Sequence, residues 1–160
     1  MKTKEISHNE MDAFNLVEDW QLTKDDNKFD ANDVIEAYFN GKKQGHEDFK
    51  ALFVEKFHSN LNKSGSLTAK CIAFIKENGF TPVFAKLKVS SFKSYSVLIG
   101  VKEEDYNNEN FLKIYDHANV LEMEDDSDLF SISFHFAYEG IGFNQKAVIN
   151  DGYRINFSKL

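Results

Sequence analysis

A chain of 160 residues with 42% hydrophobic and 28% charged side chains, sixteen Phe, one Pro and one Cys is long and apolar enough to bury its own core, which excludes disorder and any need for disulfides or a structural metal. The apolar run at residues 97–101 is far too short to cross a bilayer, and the N-terminal lysines have no apolar stretch behind them, so neither a membrane span nor a secretory signal is expected. The net charge of −7 is uneven: residues 1–48 carry −6, residues 49–101 carry +6 and residues 102–160 carry −7, a pattern that favours acidic flanks laid against the chain's own basic middle.

The first expected element is a helix. Ser7 and Glu10 fit a capping box, Ile6 and Met11 a hydrophobic staple, and Ala13, Leu16, Val17 and Trp20 recur at helical spacing. A second start follows, with Asp30 as N-cap, Asp33 behind it and Phe29 stapling onto Val34. Helical spacing runs through Ile35 and Tyr38 and resumes at Phe49, Leu52, Phe53, Phe57 and Leu61, with a break expected at Gly41 and Gly45. A further helix is predicted from a Ser66 cap, with Leu67, Cys71, Ile72, Phe74 and Ile75 as its apolar face and Asn78 and Gly79 as its end.

Beyond Pro82 the period switches to two. Val83, Ala85, Leu87 and Val89 alternate with Phe84, Lys86, Lys88 and Ser90, which reads as a half-buried strand, and the run from Tyr95 to Val101 suits a central strand. Phe111, Leu112, Tyr115 and Ala118 predict another helix, capped by Asn107 or Asn108. After the acidic stretch 122–128, Phe130, Ile132, Phe134, Phe136 and Tyr138 alternate with small and polar residues in a strand expected at the centre of the core. Residues 144–157 read either as a hairpin on Asp151 and Gly152 or as a short helix with a last strand; Asn144 as a cap and the echo of Asn78-Gly79-Phe80 in Asp151-Gly152-Tyr153 favour the helix.

These elements define an α+β domain, with N-terminal helices packed on a small, mainly antiparallel sheet, in the order helices then β-β-α-β and a short C-terminal helix or hairpin. Residues 1–29 are expected as a helical arm and residues 30–160 as the single α+β domain.

Few motifs carry chemistry. Asp25, Asn27, Asp33 and Glu36 mimic positions of a calcium loop, but Phe29 and Asp30 stand where a ligand and the obligatory glycine belong. The acidic run 122–128 reads as a solvated loop. His8, His46, His58, His117 and His135 form no ligand pair with one another or with Cys71, whose apolar neighbours mark an inert thiol, so no metal is expected. Gly140-Ile141-Gly142 lacks the third glycine of a dinucleotide fingerprint, and no phosphate-binding loop or nucleophile elbow is present.

Two binding candidates remain. His135 stands mid-strand beside Ser133 and could line a pocket or pair with a carboxylate as acid and base. Phe84, Lys86, Lys88, Phe92 and Lys93 interleave aromatic rings with cations as single-stranded nucleic-acid binders do, although a single arginine and the acidic total oppose that reading, and lysines also protect sheet edges.

The expected function is a non-enzymatic, cytoplasmic binding or regulatory protein, such as an acidic inhibitor or adaptor of a phage or other mobile element, without cofactor. Its partner is then another protein or a second copy of the chain, with no membrane and nucleic acid disfavoured. The alternatives are a single-stranded nucleic-acid module on strand 83–93 and a small hydrolase or transferase using His135.

Overall fold

A computed structural model describes residues 19–22 and 47–160. The elements are β1 (Trp20–Leu22), α1 (Glu47–Glu77), β2 (Pro82–Ser91), β3 (Ser94–Lys102), α2 (Glu103–Tyr106), a 3-10 turn (Glu109–Phe111), α3 (Leu112–Glu124), β4 (Ser131–Glu139), α4 (Gln145–Asn150) and β5 (Ile155–Phe157). The strands form one open sheet in the order β1-β5-β2-β3-β4, antiparallel except for the parallel pair β3 and β4. The α+β architecture expected from the sequence is the one found. The proposed cap and breaks at Ser7, Glu10, Asp30, Gly41 and Gly45, and the calcium-like window, lie outside the described residues.

Alternation along each strand gives the sheet two faces. Ala85, Leu87, Tyr95, Val97, Ile99, Val101, Ile132, Phe134, Ile155 and Phe157 are buried on the inner face, where α1 and α3 pack on the sheet and on each other. The crossover from β3 to β4 runs through α2 and α3, as parallel neighbours require a long connection. Residues 140–154 then cross from β4 at the edge to β5 on the far side of β2.

Four expectations change. First, Trp20 stands in β1, paired with Phe157, and not at the end of a helix. Its ring meets Phe157 edge-on at 5.3 Å and its Nε1–H donates to the Leu61 carbonyl at 3.2 Å.

Second, α1 runs 31 residues without a break, so Ser66 is an exposed mid-helix residue and not a cap. The Ser64 and Thr68 hydroxyls, which could have stopped the helix, donate instead to the carbonyls of Leu61 and Ser64 at 2.7 Å. Gly65 admits the chain before β1: a Cβ there would stand 2.8 Å from the Asp19 Cβ.

Third, the alternating strand expected at the centre of the core is β4, an edge strand, while β3 and β2 lie inside. Phe130, Ile132 and Phe134 are buried, but Phe136 is half-buried and Tyr138 exposed. The free edge is blunted where the Phe134 N–H donates to Glu122 Oε1 at 2.7 Å.

Fourth, the buried side of α3 is Ile114, Ala118 and Leu121, with Phe111 ahead of it, so Leu112 and Tyr115 of the expected stripe face outward.

Both glycine helix ends are as expected. Gly79 (φ 82°) and Gly152 (φ 101°) take the left-handed conformation, and the next residues, Phe80 and Tyr153, donate back to Ile75 and Val148 at 3.1 and 3.3 Å. Asn144 Oδ1 accepts from the Ala147 N–H at 3.1 Å, so the C-terminal segment is a capped helix and not a hairpin.

Basic and acidic segments do meet: Lys70 pairs with Glu124 at 2.7 Å and Lys63 with Asp125 at 3.9 Å, which ties the middle of the chain to the 122–128 stretch.

Candidate functional site

The outer face of the sheet carries most of the sequence-predicted site. Register places Lys88, Ser96 and Ser133 side by side on β2, β3 and β4, with Lys86, Leu98 and His135 in the next row and Phe84, Gly100 and Ala137 beyond. Residues 140–154 cover part of this face. Phe143 packs on Phe84 at 5.2 Å, Lys88 Nζ lies 5.7 Å from the Tyr153 ring centroid, and Phe84 crosses the sheet so closely that a Cβ on Gly100 would fall 2.1 Å from it.

The β4 side of the face stays open. Ser96 Oγ is 3.2 Å from Ser133 Oγ, which is 3.3 Å from His135 Nε2, and His135 is exposed. A Ser-His pair that attacks a substrate needs a third group to orient the imidazole. Ser133 is the one polar contact found for His135 among the described residues, and no carboxylate takes that orienting role.

Lys86 is buried, with 4% of its surface exposed, and its Nζ donates to Asn156 Oδ1 at 2.7 Å. Loss of hydration lowers its pKa below the ordinary lysine value. Burial likewise raises the Tyr153 pKa, as does the charge of Asp151, against a hydrogen bond with Ser96 that lowers it.

The candidate residues therefore separate. Phe84, Lys86, Lys88 and His135 share the outer face, whereas Phe92 packs with Phe53 at 5.3 Å toward the core, and Lys93 sits exposed in the β2–β3 turn. The continuous strip of rings and cations expected on strand 83–93 does not form, because Phe84 is covered and Lys86 buried. Edge protection fails for Lys86, since β2 is paired there with β3 on one side and β5 on the other. Ser96 and Tyr153 were not singled out from sequence. The parity of each strand was readable, but which strand lies beside which is set by the crossovers.

An open hollow of about 670 Å³ lies at the C-terminal ends of β3 and β4, lined by Val83, Lys102, Glu103, Glu104, Asn107 and Glu139. His135 does not line it. Among the described residues no group of three or more His, Cys, Asp or Glu side chains could hold a metal ion. Cys71 is buried, and burial with the nearby Glu122 charge pushes its pKa up to about 12, which removes it as a nucleophile. No helix among the described residues is long and apolar enough to cross a membrane.

The fold and face together define an α+β domain with helices on the inner side of a mixed sheet and a partly covered outer side. Comparison of the chain with protein-family models, curated proteins and solved structures returns no match.

Proposed function

We propose that the protein is a non-enzymatic binding module that acts as an adaptor or inhibitor by docking another protein on the outward side of α3. One observation carries this reading: α3 is apolar on both sides. Ile114, Ala118 and Leu121 face the core, while Leu112, Val120 and Met123 are 66%, 62% and 79% exposed and Tyr115 stands at the border.

At 100° per residue, Leu112, Val120, Met123 and Tyr115 fall within one arc on the solvent side. Such an arc is more than scattered surface hydrophobicity, and Met is adaptable at binding surfaces. The partner follows from charge: Asp116 within the arc, Glu109 ahead of it, and Asp126 and Asp128 just past the helix are all exposed, and Lys113 is the one basic residue of α3 itself. An amphipathic helix with apolar anchors and basic flanks complements both features.

The enzyme reading draws on the Ser133–His135 contact, but without an orienting carboxylate that contact is better suited to holding a ligand. The nucleic-acid reading loses the covered Phe84, the buried Lys86 and the inward Phe92.

The test is selection from a library of amphipathic helical peptides with basic flanks, followed by anisotropy titrations. Selected peptides should bind the wild type at about 1–10 μM and lose roughly tenfold or more when Val120→Asp and Met123→Asp are combined. Both positions are exposed, so the urea midpoint should hold. Selected peptides that bind the double variant equally well would place the docking surface elsewhere.

A further inference from the structure

We infer that the free edge of β4 at residues 135–139 is where two copies of the chain pair, antiparallel and about a two-fold axis at Ala137. Along β4 the backbone groups alternate between the two edges of the strand. Ser131 donates toward β3, to the Lys93 carbonyl, and Phe134 donates away from it, to Glu122 Oε1, so the even-numbered residues face the free edge. That edge is closed at three points: the Phe130 carbonyl accepts from Ser127, the Phe134 N–H is held by Glu122, and the Gly140 carbonyl accepts from Phe143. Between the last two, the N–H and carbonyl groups of Phe136 and Tyr138 have no partner among the described residues. The devices that blunt an edge are missing here: residues 135–139 hold no Pro or Lys and pair with β3 without a bulge.

A second copy fits this opening in one register. Antiparallel strands bond through residues that face the shared edge, so Phe136 must meet Phe136, Tyr138 or Gly140 of the other copy. Meeting Phe136 would need the Phe134 N–H that Glu122 holds, and meeting Gly140 the carbonyl that Phe143 uses. Meeting Tyr138 uses only free groups, and the two residues exchange a pair of N–H···O bonds on each side of the axis.

The side chains agree with that register. His135 of each copy stands opposite Glu139 of the other, at a non-hydrogen-bonded position where side chains are closest. Both are exposed on the outer face, and Glu139, although beside Lys102 in register, makes no ion pair among the described residues. An imidazole N–H facing a carboxylate is thus supplied twice. On the inner face Phe136 meets Tyr138 of the other copy, which extends the ring contacts of Tyr115 with Phe136 at 5.0 Å and Tyr106 with Tyr138 at 5.3 Å. The docking side of α3 is separate, since Val120 lies about 140° round the helix from Tyr115, the residue that meets β4.

The test is analytical ultracentrifugation of the full chain from about 1 to 500 μM, where a monomer–dimer equilibrium with a Kd of about 50 μM is expected for so short an edge. Glu139→Lys should weaken the dimer roughly tenfold, and adding His135→Glu, which puts opposite charges across the axis again, should recover it. Both positions are exposed, so the urea midpoint should hold. In the Ala137→Cys variant, oxidised glutathione should cross-link two copies through residue 137, whereas the Ser133→Cys variant should stay uncross-linked; Cys71 is buried and takes no part. A monomer at every concentration, a dimer unchanged by Glu139→Lys, no recovery in the charge-swapped variant, or equal cross-linking of the two cysteine variants would overturn the inference.

Discussion

Lys86 contributes a charge to a place where charge is disfavoured. Its Nζ donates to the neutral Asn156, the one polar partner found among the described residues, and the pKa of the amine is lowered by loss of hydration. The unfolded chain then holds more protons than the folded one between the lowered pKa and the ordinary value near 10.4. Stability therefore rises with pH across that window, and below it the full penalty of the buried ammonium applies. Lys86→Met removes the titrating group and with it the window. Urea melts should show the wild type gaining on Lys86→Met as pH is raised toward 10, whatever their order at pH 7. A stability difference that stays constant over that range would mean the amine is hydrated in the fold. Lys86 was legible as the neighbour of Leu87 pointing the other way. Its burial was not, because the cover comes from other segments of the chain brought onto the face by the sheet order.

At the scale of elements, α1 shows how a tertiary contact overrides local preference. A glycine inside a helix costs about 1 kcal/mol against alanine, so Gly65→Ala would ordinarily stabilise the chain. Here the new Cβ would stand 2.7 Å from Asp19 Oδ2 and 2.8 Å from the Asp19 Cβ, and the backbone of β1 would have to shift. The expected outcome is a net loss of about 1–3 kcal/mol in urea melts, with Trp20 emission moving to longer wavelength as β1 loosens. Gly65→Ala combined with Asp19→Gly should recover most of that loss. Stability raised by Gly65→Ala alone would show that the approach is loose.

The same contact explains what was legible in the sequence and what was not. Both Gly-ended helix termini, the Asn144 cap, the two successive strands β2 and β3 and the α+β order were visible because they depend on neighbours within a few residues. Ser66 read as the cap of a new helix, because the contact that goes with the unbroken helix, Gly65 against Asp19, is distant in sequence. Trp20 fitted a helical period, although its place is fixed by Phe157 and by the Leu61 carbonyl. Phe130 to Tyr138 alternate cleanly because one face is covered, and alternation is the same at the edge of a sheet as at its centre. On α3 the spacing of Leu112 and Tyr115 was right for a helix, but the core selected Ile114 and Leu121, and the outward residues became the candidate docking surface.

For the whole molecule the decisive quantity is how the basic middle is used. Residues 49–101 carry +6 within a chain of −7, and a strand of nucleic acid would need several of those lysines in a row. The fold distributes them differently. Lys63 and Lys70 pair with Asp125 and Glu124, Lys86 is buried, and Lys88 lies over Tyr153. The rings that would stack bases are also spent, Phe84 under Phe143 and Phe92 against Phe53. What remains on the outer face is Lys88 held by Tyr153 and an exposed His135, not a track for a polymer. Single-stranded DNA or RNA should therefore show no saturable binding at physiological salt in a filter or anisotropy titration. Each lysine that did neutralise a phosphate would add about 0.7 to the slope of log affinity against log salt for a single strand. Micromolar binding whose salt slope falls by that amount in Lys88→Ala, and again when Lys93→Ala is added, would reverse the assignment and make the 83–93 strand a nucleic-acid surface after all.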